Sequence, residues 1–276
     1  MIEVQVHATK GRVLLAKTTL YPGTVGLQVL EEEALIMVPP LPEEESERHS
    51  SQRTDLEDLQ RELTKTLAYY ENFKKQSITV QRKIMDFYKQ MDCPKASSIR
   101  RLLSAKGLSG ADADEFVEVA MVFEFNAVAC RLQQADGNGP GPLIGTGLFQ
   151  LGCMMSHSCL PNTIWFTSPD GKSKILRVIK PVEIGEELTV AYYEDLTIPT
   201  AIRRAKLQRS KAFVCDCERC GRPADDTRRF PCDDPQCNGV VFVSQPLSSA
   251  APEFLSCTVC ATNTVHASAH LRREVC

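Results

Sequence analysis

Cysteines are the residues whose spacing most clearly indicates chemistry in this sequence. The chain has 276 residues, of which 12 are cysteines, and eight of these lie between Cys215 and Cys276. In a reducing compartment, thiols ligate metals or take part in catalysis more often than they form disulfides. The crowding of cysteines therefore predicts a metal-binding module in the C-terminal part of the chain.

The first predicted metal site begins with three closely spaced thiols, those of Cys215, Cys217 and Cys220. A structural zinc ion takes four soft ligands in a tetrahedron, so a fourth ligand must come from elsewhere in the chain. Cys159 is the prime candidate, because it lies in an unusual polar segment between two predicted strands. Such an ion would join the C-terminal region to the middle of the chain.

The second predicted metal site is a self-contained pair of cysteine knuckles with the spacing of a zinc ribbon. Its four thiols belong to Cys232, Cys237, Cys257 and Cys260. Reduced surface thiols are the alternative interpretation, but so many of them would be an oxidation liability. His266 and His270 could ligate a further metal, although two terminal histidines are more often solvated. We expect two structural zinc ions.

Composition excludes several classes of protein. With 43% hydrophobic and 24% charged residues, the chain can build one large or two modest domains with a core. The 32 basic and 35 acidic residues leave a formal charge of −3, which gives no overall footprint for nucleic acid. The longest apolar run, residues 34–41, falls short of the roughly 18 residues that a membrane span needs. The N-terminus lacks the apolar segment of a signal peptide, so we expect an intracellular protein of the nucleus or the cytoplasm.

Predicted strands and helices must position the proposed ligands. β-Branched runs at residues 4–6, 12–16 and 25–38 predict a β-meander, which prolines end before an acid-rich linker. A capping box that begins at Thr54, followed by apolar residues three and four positions apart, predicts an amphipathic helix. A second apolar period at residues 80–91 predicts either the partner helix of a hairpin or a continuation of the first helix. Such an apolar stripe is more often core than partner surface.

The middle of the chain predicts a further helix and then strands. Residues 112–132 have a helical pattern, and the glycine-rich residues 136–147 predict a loop. Residues 163–167 and 174–179 flank a Ser-Pro-Asp-Gly turn and predict a hairpin. Residues 187–193 predict another strand.

The order of the motifs resembles that of SET-domain methyltransferases, specifically the SET-and-MYND (SMYD) type. SHSCLPN at 156–162, IGEELTVAYY at 184–193 and CDCERC at 215–220 follow one another as the hallmark motifs of that family do. Residues 10–30 resemble the opening SET strands, and residues 123–130 resemble the helix before the central loop. The resemblance implies a mixed β/α fold, a SET-type β-clip with a pseudoknot, a helical insert and a C-terminal zinc-binding post-SET region.

The resemblance also implies a domain organisation. We predict N-terminal SET strands at 1–41, an acidic linker at 42–53, a helical insert at 54–112, a core SET domain at 113–198, a post-SET zinc cluster at 199–222 and a zinc-ribbon-like tail at 223–276. The sequence has no cysteine before Cys93, so we expect the MYND zinc finger to be absent.

The implied reaction is transfer of a methyl group from S-adenosylmethionine to a protein lysine. Such a transfer depends on orientation and on a neutral amine, whereas a free lysine has a pKa of about 10.4. An apolar channel that disfavours the ammonium form would help. By resemblance, Tyr192 is the catalytic tyrosine of this channel, whose hydroxyl helps to align the amine with the methyl group.

The resemblance places nine residues at the cofactor. These are Gly11, Arg12, Asn126, Cys153, Met155, Ser156, His157, Tyr192 and Phe213. Without the resemblance, Phe213 could equally be a core residue, and His157 could serve only a loop carbonyl.

Three residues depart from the family pattern. Ser156 stands where the family usually has asparagine, and Val13 stands where a second glycine is expected. Lys211 occupies the position of a second channel tyrosine, where its charge would oppose a substrate cation unless the side chain swings outward. A second hypothesis is therefore a catalytically degenerate SET protein that acts as a zinc-stabilised interaction module and recruits a protein partner through residues 54–91.

A third hypothesis, a DNA-binding zinc protein, depends on a single basic helix. Residues 198–212 predict a helix with five bases and no acid, whose face is either solvated or contacts an acidic peptide or nucleic acid. Because these bases form one helix and do not surround the knuckles, we expect no nucleic acid. We expect a monomer, with a protein that carries a target lysine as its partner and with no membrane association.

Overall fold

The structure, a computed structural model, describes residues 1–23, 26–41, 55–133, 140–193, 195–244 and 255–262. The predicted acidic linker, Thr54, His266, His270 and Cys276 lie outside these residues. The chain divides into two compact units. The first unit comprises Met1–Ser156 and Asn162–Leu188, and the second comprises His157–Pro161 and Thr189–Cys276.

Both units combine helices with short strands, in agreement with the predicted mixed β/α class. Among the described residues, the strands are β1 (Ile2–His7), β2 (Gly11–Ala16), β3 (Leu27–Glu33), β4 (Ile36–Val38), β5 (Val128–Gln133), β6 (Pro140–Leu148), β7 (Ser156–His157), β8 (Thr163–Thr167), β9 (Ser173–Val178), β10 (Thr189–Val190), β11 (Ala224–Pro231) and β12 (Val240–Ser244). In the same described residues, the α-helices are α1 (Asp55–Lys74), α2 (Ile78–Met85), α3 (Pro94–Ala105), α4 (Ala111–Asn126), α5 (Thr200–Lys211) and α6 (Glu218–Gly221), and a 3-10 turn spans Gly152–Met154.

The N-terminal strands are present, but they do not form the predicted meander. β1 and β2 make an antiparallel hairpin, whereas β3 pairs with β9 and β4 pairs with β6. The physical reason lies in β9, which is buried along nearly its whole length and needs hydrogen-bond partners at both edges. β3 supplies one edge and β8 the other, in the order β3-β9-β8.

From Pro140 onward, the glycine-rich segment predicted as a loop is instead strand β6, which lies between β4 and β5. The glycines of β6 allow other parts of the same polypeptide to approach its backbone closely. A Cβ atom at Gly145 would lie 2.8 Å from the carbonyl oxygen of Val38, and one at Gly147 would lie 2.9 Å from the ring of Phe149. Glycine within a strand often marks such tight backbone packing. The loop prediction for residues 136–147 was therefore wrong from Pro140 onward.

The helix predicted at residues 112–132 is shorter than expected. α4 ends at Asn126, Ala127 is already extended, and the following residues form β5, which pairs with β6. The apolar pattern favours a helix locally throughout this stretch. Pairing with a neighbouring strand determines the structure of its C-terminal part.

The predicted helical insert packs into the first unit. α1 and α2 are separate helices, and the hydroxyl of Ser77 caps α2 by accepting from the main-chain nitrogen of Val80 at 3.4 Å. The ring of Tyr69 on α1 stacks on that of Phe123 on α4, with centroids 4.2 Å apart. These residues share one core with Ile36 of β4. Phe73 of the expected apolar stripe is therefore core, whereas Leu67 of the same stripe is exposed and the buried Tyr69 was not part of the stripe.

Helix α3 was not predicted. Pro94, which on its own predicts a break, is the first residue of α3. Proline is favoured at this position because the N–H that it lacks would have no partner within the helix. The thiol of Cys93 caps the helix by accepting from the main-chain nitrogen of Ala96 at 3.5 Å. Over the described ranges, none of these helices has both the length and the apolar character required to cross a membrane.

Two further predictions are confirmed, and one is shortened. β8 and β9 form the expected hairpin, and α5 corresponds to the helix expected at residues 198–212. The strand expected at residues 187–193 is reduced to β10, which pairs only with the two-residue strand β7. In the second unit, β11 and β12 form a hairpin that precedes the last described cysteines.

Candidate functional site

Four thiols of the second unit converge at one point. They are those of Cys159, Cys215, Cys217 and Cys220, and all four Sγ atoms lie within 4.8 Å of one another. The Sγ atoms of Cys159 and Cys220 are 3.6 Å apart. Zinc–thiolate bonds of about 2.3 Å in a tetrahedron place sulfur atoms about 3.8 Å apart, so the set fits a zinc ion. The thiol of Cys159 thus lies where the spacing argument expects a fourth ligand. We call these four residues the first zinc site.

Two arginines of the basic helix α5 contact the first zinc site, a role that the sequence pattern did not predict. Arg203 is fully buried, and its guanidinium lies 3.7 Å from Sγ of Cys220 and donates to the carbonyl of Ile198 at 2.6 Å. Arg204 donates to the main-chain oxygens of Cys215 and Cys220 at 3.0 and 2.8 Å. Four thiolates around a divalent ion leave a negative charge, which needs partners when it is buried. Part of the basic face of α5 therefore serves the zinc site and is not merely solvated.

Arg219 ties the Cys159 segment to the rest of this unit. Its guanidinium donates to the main-chain oxygens of Cys159 and Leu196 at 3.4 and 2.7 Å and pairs with Asp226 at 2.9 Å. These contacts hold Cys159 beside the other three thiols of the first zinc site.

The second set of four thiols also converges, at the end of the β11–β12 hairpin. The Sγ atoms of Cys232, Cys237, Cys257 and Cys260 all lie within 4.8 Å of one another. The main-chain nitrogen of Gly239 donates to Sγ of Cys237 at 3.3 Å, and a Cβ atom at position 239 would overlap Sγ of Cys257. Cys260 is exposed, unlike any member of the first zinc site. We call these four residues the second zinc site.

Three predicted site residues form an aromatic cluster in the second unit. The ring of His157 lies 5.3 Å from that of Tyr192 and 6.2 Å from that of Phe213, and the rings of Tyr192 and Phe213 are 6.4 Å apart. The side chain of Lys211 does not swing outward, because its ammonium lies over the ring of Tyr192. Sequence reasoning missed Tyr193, whose ring lies 5.4 Å from that of His157 and whose pKa is raised by burial.

In the first unit, two predicted cofactor residues are engaged by the helical insert. The guanidinium of Arg12 donates to the carboxylate of Asp86 at 2.6 Å and to its main-chain oxygen at 2.5 Å. The amide of Asn126 donates to the main-chain oxygens of Tyr88 and Val122 at 2.6 and 2.8 Å. Residues 86–88 of the insert therefore hold both side chains.

The other predicted residues of the first unit differ in how far they are buried. Gly11 has a φ of +75°, which favours glycine, and has open space where a side chain would project. Met155 is buried, whereas Cys153 and Ser156 are half-buried. Val13, the departure from the Gly-x-Gly pattern, is buried in the core at 3% exposure. Packing in the core therefore explains why a valine stands at this position.

Glu32 is a functional candidate that sequence reasoning missed. Its carboxylate accepts from the main-chain nitrogens of Leu151 and Gly152 at 2.8 and 3.0 Å, and burial raises its pKa. These donors belong to the turn that leads into Met155 and Ser156. The only sequence signal is a run of three acidic residues, 31–33, within an otherwise β-branched stretch.

The SHSCLPN motif at 156–162 and the IGEELTVAYY motif at 184–193 are joined by hydrogen bonds within each unit. In the first unit, the amide of Asn162 donates to the main-chain oxygen of Glu187 at 2.9 Å. In the second unit, the main-chain nitrogen of Ser158 donates to the oxygen of Val190 at 2.9 Å. These contacts agree with the expectation that the motifs meet, while the threading of a pseudoknot stays a prediction.

Comparisons with known proteins agree with the motif order. A protein-family model described as SET domain matches residues 11–193. Histone-lysine N-methyltransferase SMYD3 of Homo sapiens is 38% identical over 78 residues, which cover 28% of this chain and 17% of that protein. A SET and MYND domain-containing protein of Dictyostelium discoideum is 31% identical over 111 residues, covering 40% of this chain and 32% of that protein.

Two further proteins are similar to this chain. N-lysine methyltransferase SMYD2 of Gallus gallus is 35% identical over 87 residues, covering 32% of this chain and 19% of that protein. The matched stretches thus span at most 32% of the length of these three relatives. A crystal structure of the SET domain of LSMT bound to lysine and AdoHcy aligns with a TM-score of 0.45 and 10% identity, covering 85% of this chain and 57% of that one.

Proposed function

Because the chain belongs to the SET-domain family, we propose that it transfers a methyl group from S-adenosylmethionine to the side-chain amine of a protein lysine. The observation that carries the proposal is the extent of the family match, which runs from the first predicted cofactor residue, Gly11, through the motif that holds Tyr192. The names of the relatives, a histone-lysine and an N-lysine methyltransferase, point to the same chemistry.

S-adenosylmethionine supplies an electrophilic methyl group when it is bound. The residues of this chain would orient the lysine amine toward that group and favour its neutral form, since orientation can lower a barrier by several kcal/mol. We assign the orienting role to the hydroxyl of Tyr192. The side chain of Tyr192 is 41% exposed, so a lysine can approach it from solvent.

The residues proposed to hold the cofactor leave surface for a ligand. Cys153, Ser156, His157 and Phe213 are all only half-buried, and Gly11 has open space beside it. In the first unit we assign cofactor contacts to Gly11, Arg12, Asn126, Cys153, Met155 and Ser156. In the second unit we assign them to His157, Tyr192 and Phe213.

A second candidate function is a catalytically degenerate SET protein that acts as a zinc-stabilised interaction module. Two observations favour it. The ammonium of Lys211 lies over the ring of Tyr192, and the insert occupies the polar side chains of Arg12 and Asn126. In that case residues 54–91 would recruit a protein partner, and the zinc sites would maintain the fold.

Isothermal titration calorimetry of the zinc-loaded protein with S-adenosylmethionine separates the two candidates. Saturable binding supports the enzyme, and Tyr192→Phe should then reduce methyl transfer to a lysine peptide while leaving cofactor affinity nearly unchanged. Tyr21→Phe, at an exposed tyrosine of the first unit, is the matched control. No heat of binding at hundreds of micromolar ligand would reject the enzyme and favour the module.

We further propose that both zinc sites are loaded in a reducing compartment, the nucleus or the cytoplasm, because eight ligand thiols would be prone to oxidation elsewhere. The partner would be a protein that presents a target lysine. We propose that the chain acts as a monomer, and light scattering during size-exclusion chromatography tests this directly.

A further inference from the structure

The imidazole of His157 has a hydrogen-bond partner at each of its nitrogens. Nδ1 lies 3.1 Å from the main-chain nitrogen of Tyr192, and Nε2 lies 3.3 Å from Sγ of Cys159. A main-chain N–H can only donate, so Nδ1 accepts and carries no proton. The neutral ring then carries its proton on Nε2 and donates it to the sulfur of Cys159.

We propose that His157 is a positioning residue that links the first zinc site to Tyr192. The imidazole joins a metal ligand to the backbone of the residue to which we assign the orienting role, through two hydrogen bonds within the second unit. The proposal rests on the proposed function, because it takes Tyr192 as the catalytic residue. It goes beyond the cofactor contact that the family resemblance implies for His157.

The surroundings of the ring make this link stiff. The rings of Tyr193 and Phe213 both lie near that of His157, with centroid distances of 5.4 and 6.2 Å. The next residue, Ser158, is held by a main-chain hydrogen bond to Val190. A ring restrained by its neighbours transmits the position of the Cys159 sulfur to the Tyr192 amide.

The link should act in both directions. A hydrogen bond donated to a ligand thiolate offsets its negative charge, and partners of this kind change metal affinity by about 10–100-fold when they are removed. In return, a zinc ion that fixes Cys159 keeps the imidazole in place to accept from Tyr192. Loss of zinc should therefore release the Tyr192 amide.

Two substitutions separate the two hydrogen bonds. In His157→Asn, Oδ1 is as many bonds from Cβ as Nδ1 of histidine, so it can accept from Tyr192, but no donor reaches Cys159. In His157→Gln, the amide nitrogen is as many bonds from Cβ as Nε2 of histidine, so it can donate to Cys159 without accepting from Tyr192. His7→Asn, at an exposed histidine of β1, is the control.

The test uses two measurements on the zinc-loaded full chain, neither of which needs methyl transfer. Amide hydrogen exchange of Tyr192, followed by NMR, reports the Nδ1 bond, and zinc affinity in competition with a chelator reports the Nε2 bond. We expect His157→Asn to keep amide protection but to lose about 10–100-fold in zinc affinity. We expect His157→Gln to keep zinc affinity but to lose amide protection, and we expect the control to change neither.

Any pattern other than this crossed one overturns the proposal, including no change or the same change in both variants. A measurement on the wild-type chain covers the case in which a variant fails to fold. Chelation of zinc should accelerate exchange at Tyr192 more than at Leu14, a buried residue of the first unit. Equal acceleration also overturns the link. If Tyr192→Phe leaves turnover unchanged, Tyr192 loses its proposed orienting role, whereas absence of S-adenosylmethionine binding would reject the proposed function; the exchange and zinc results test the link independently of both.

Discussion

The ammonium group of Lys211 lies 5.8 Å from the centre of the Tyr192 ring. A cation in this position is attracted to the ring face by a cation–π interaction. The same charge disfavours a second cation nearby, and a substrate lysine arrives largely as a cation. The contact therefore sets the charge that a substrate meets at Tyr192.

Removal of this charge should increase activity. We expect Lys211→Met to raise kcat/KM for a lysine peptide by about tenfold, because a charge repulsion of about 1.4 kcal/mol is removed. Steady-state kinetics at neutral pH measure this effect. Lys206→Met, at an exposed position of the same helix, should leave kcat/KM unchanged. An unchanged or lower kcat/KM in Lys211→Met would show that the ammonium does not hinder the substrate.

The buried guanidinium of Arg203 should be essential for the first zinc site. Arg203→Met removes the positive charge beside Cys220, and loss of one partner from a buried charged pair costs about 3–5 kcal/mol. We therefore expect a loss of about 3 kcal/mol in the free energy of unfolding of the zinc-loaded protein, measured by urea denaturation. Arg209→Met, on the exposed side of α5, should change it by less than about 0.5 kcal/mol. Equal effects of the two substitutions would contradict this role.

The spacing of cysteines along the chain predicts metal ligands well when the ligands are close together in sequence. Cys215, Cys217 and Cys220 are such a set, and the coordination number of zinc then directed attention to Cys159. The place of Arg203 could not be found in this way. It depends on which side of α5 packs against the thiols, and a local pattern records only that the helix is basic.

The same distinction explains the elements that were missed. Considered only for its conformational freedom, glycine predicts a loop. Gly145 and Gly147 of β6 are needed for another reason, because an added Cβ atom at either position would lie within 3 Å of other atoms of the protein. Pro94 has two local meanings, a breaker and a first helical residue, and the cap from Cys93 decides between them. In both cases the deciding atoms belong to tertiary structure or to a side-chain cap.

The two zinc sites should lose their ions at different rates. Elemental analysis should find two zinc ions per chain. Thiolate oxidation follows exposure, and Cys260 of the second zinc site is exposed whereas Cys159, Cys215 and Cys220 of the first are buried. Mild hydrogen peroxide should therefore release one ion quickly and the other slowly, as measured with a zinc-binding dye.

Two serine variants show which zinc site accounts for the fast phase of zinc release. Cys260→Ser should abolish the fast phase, because the exposed ligand is lost. Cys93→Ser, at a half-buried thiol outside both zinc sites, should keep both phases. Release of both ions at one rate would refute the assignment of different protection to the two sites.

Glu32 should make stability depend on pH in an unusual direction for a carboxylate. Burial raises its pKa, so the folded chain binds a proton at pH values where the unfolded chain has already released it. The contribution of Glu32 is therefore fully present below its unfolded pKa and is lost as the pH rises through the folded pKa. Relative to Glu32→Gln, which stays neutral, the wild-type free energy of unfolding should fall from acidic toward neutral pH. Urea denaturation across this range measures the difference, and Glu33→Gln, at the exposed neighbour, should show no such trend. A wild-type advantage that instead grows with pH would mean that the main-chain donors of Leu151 and Gly152 outweigh the cost of burying the charge.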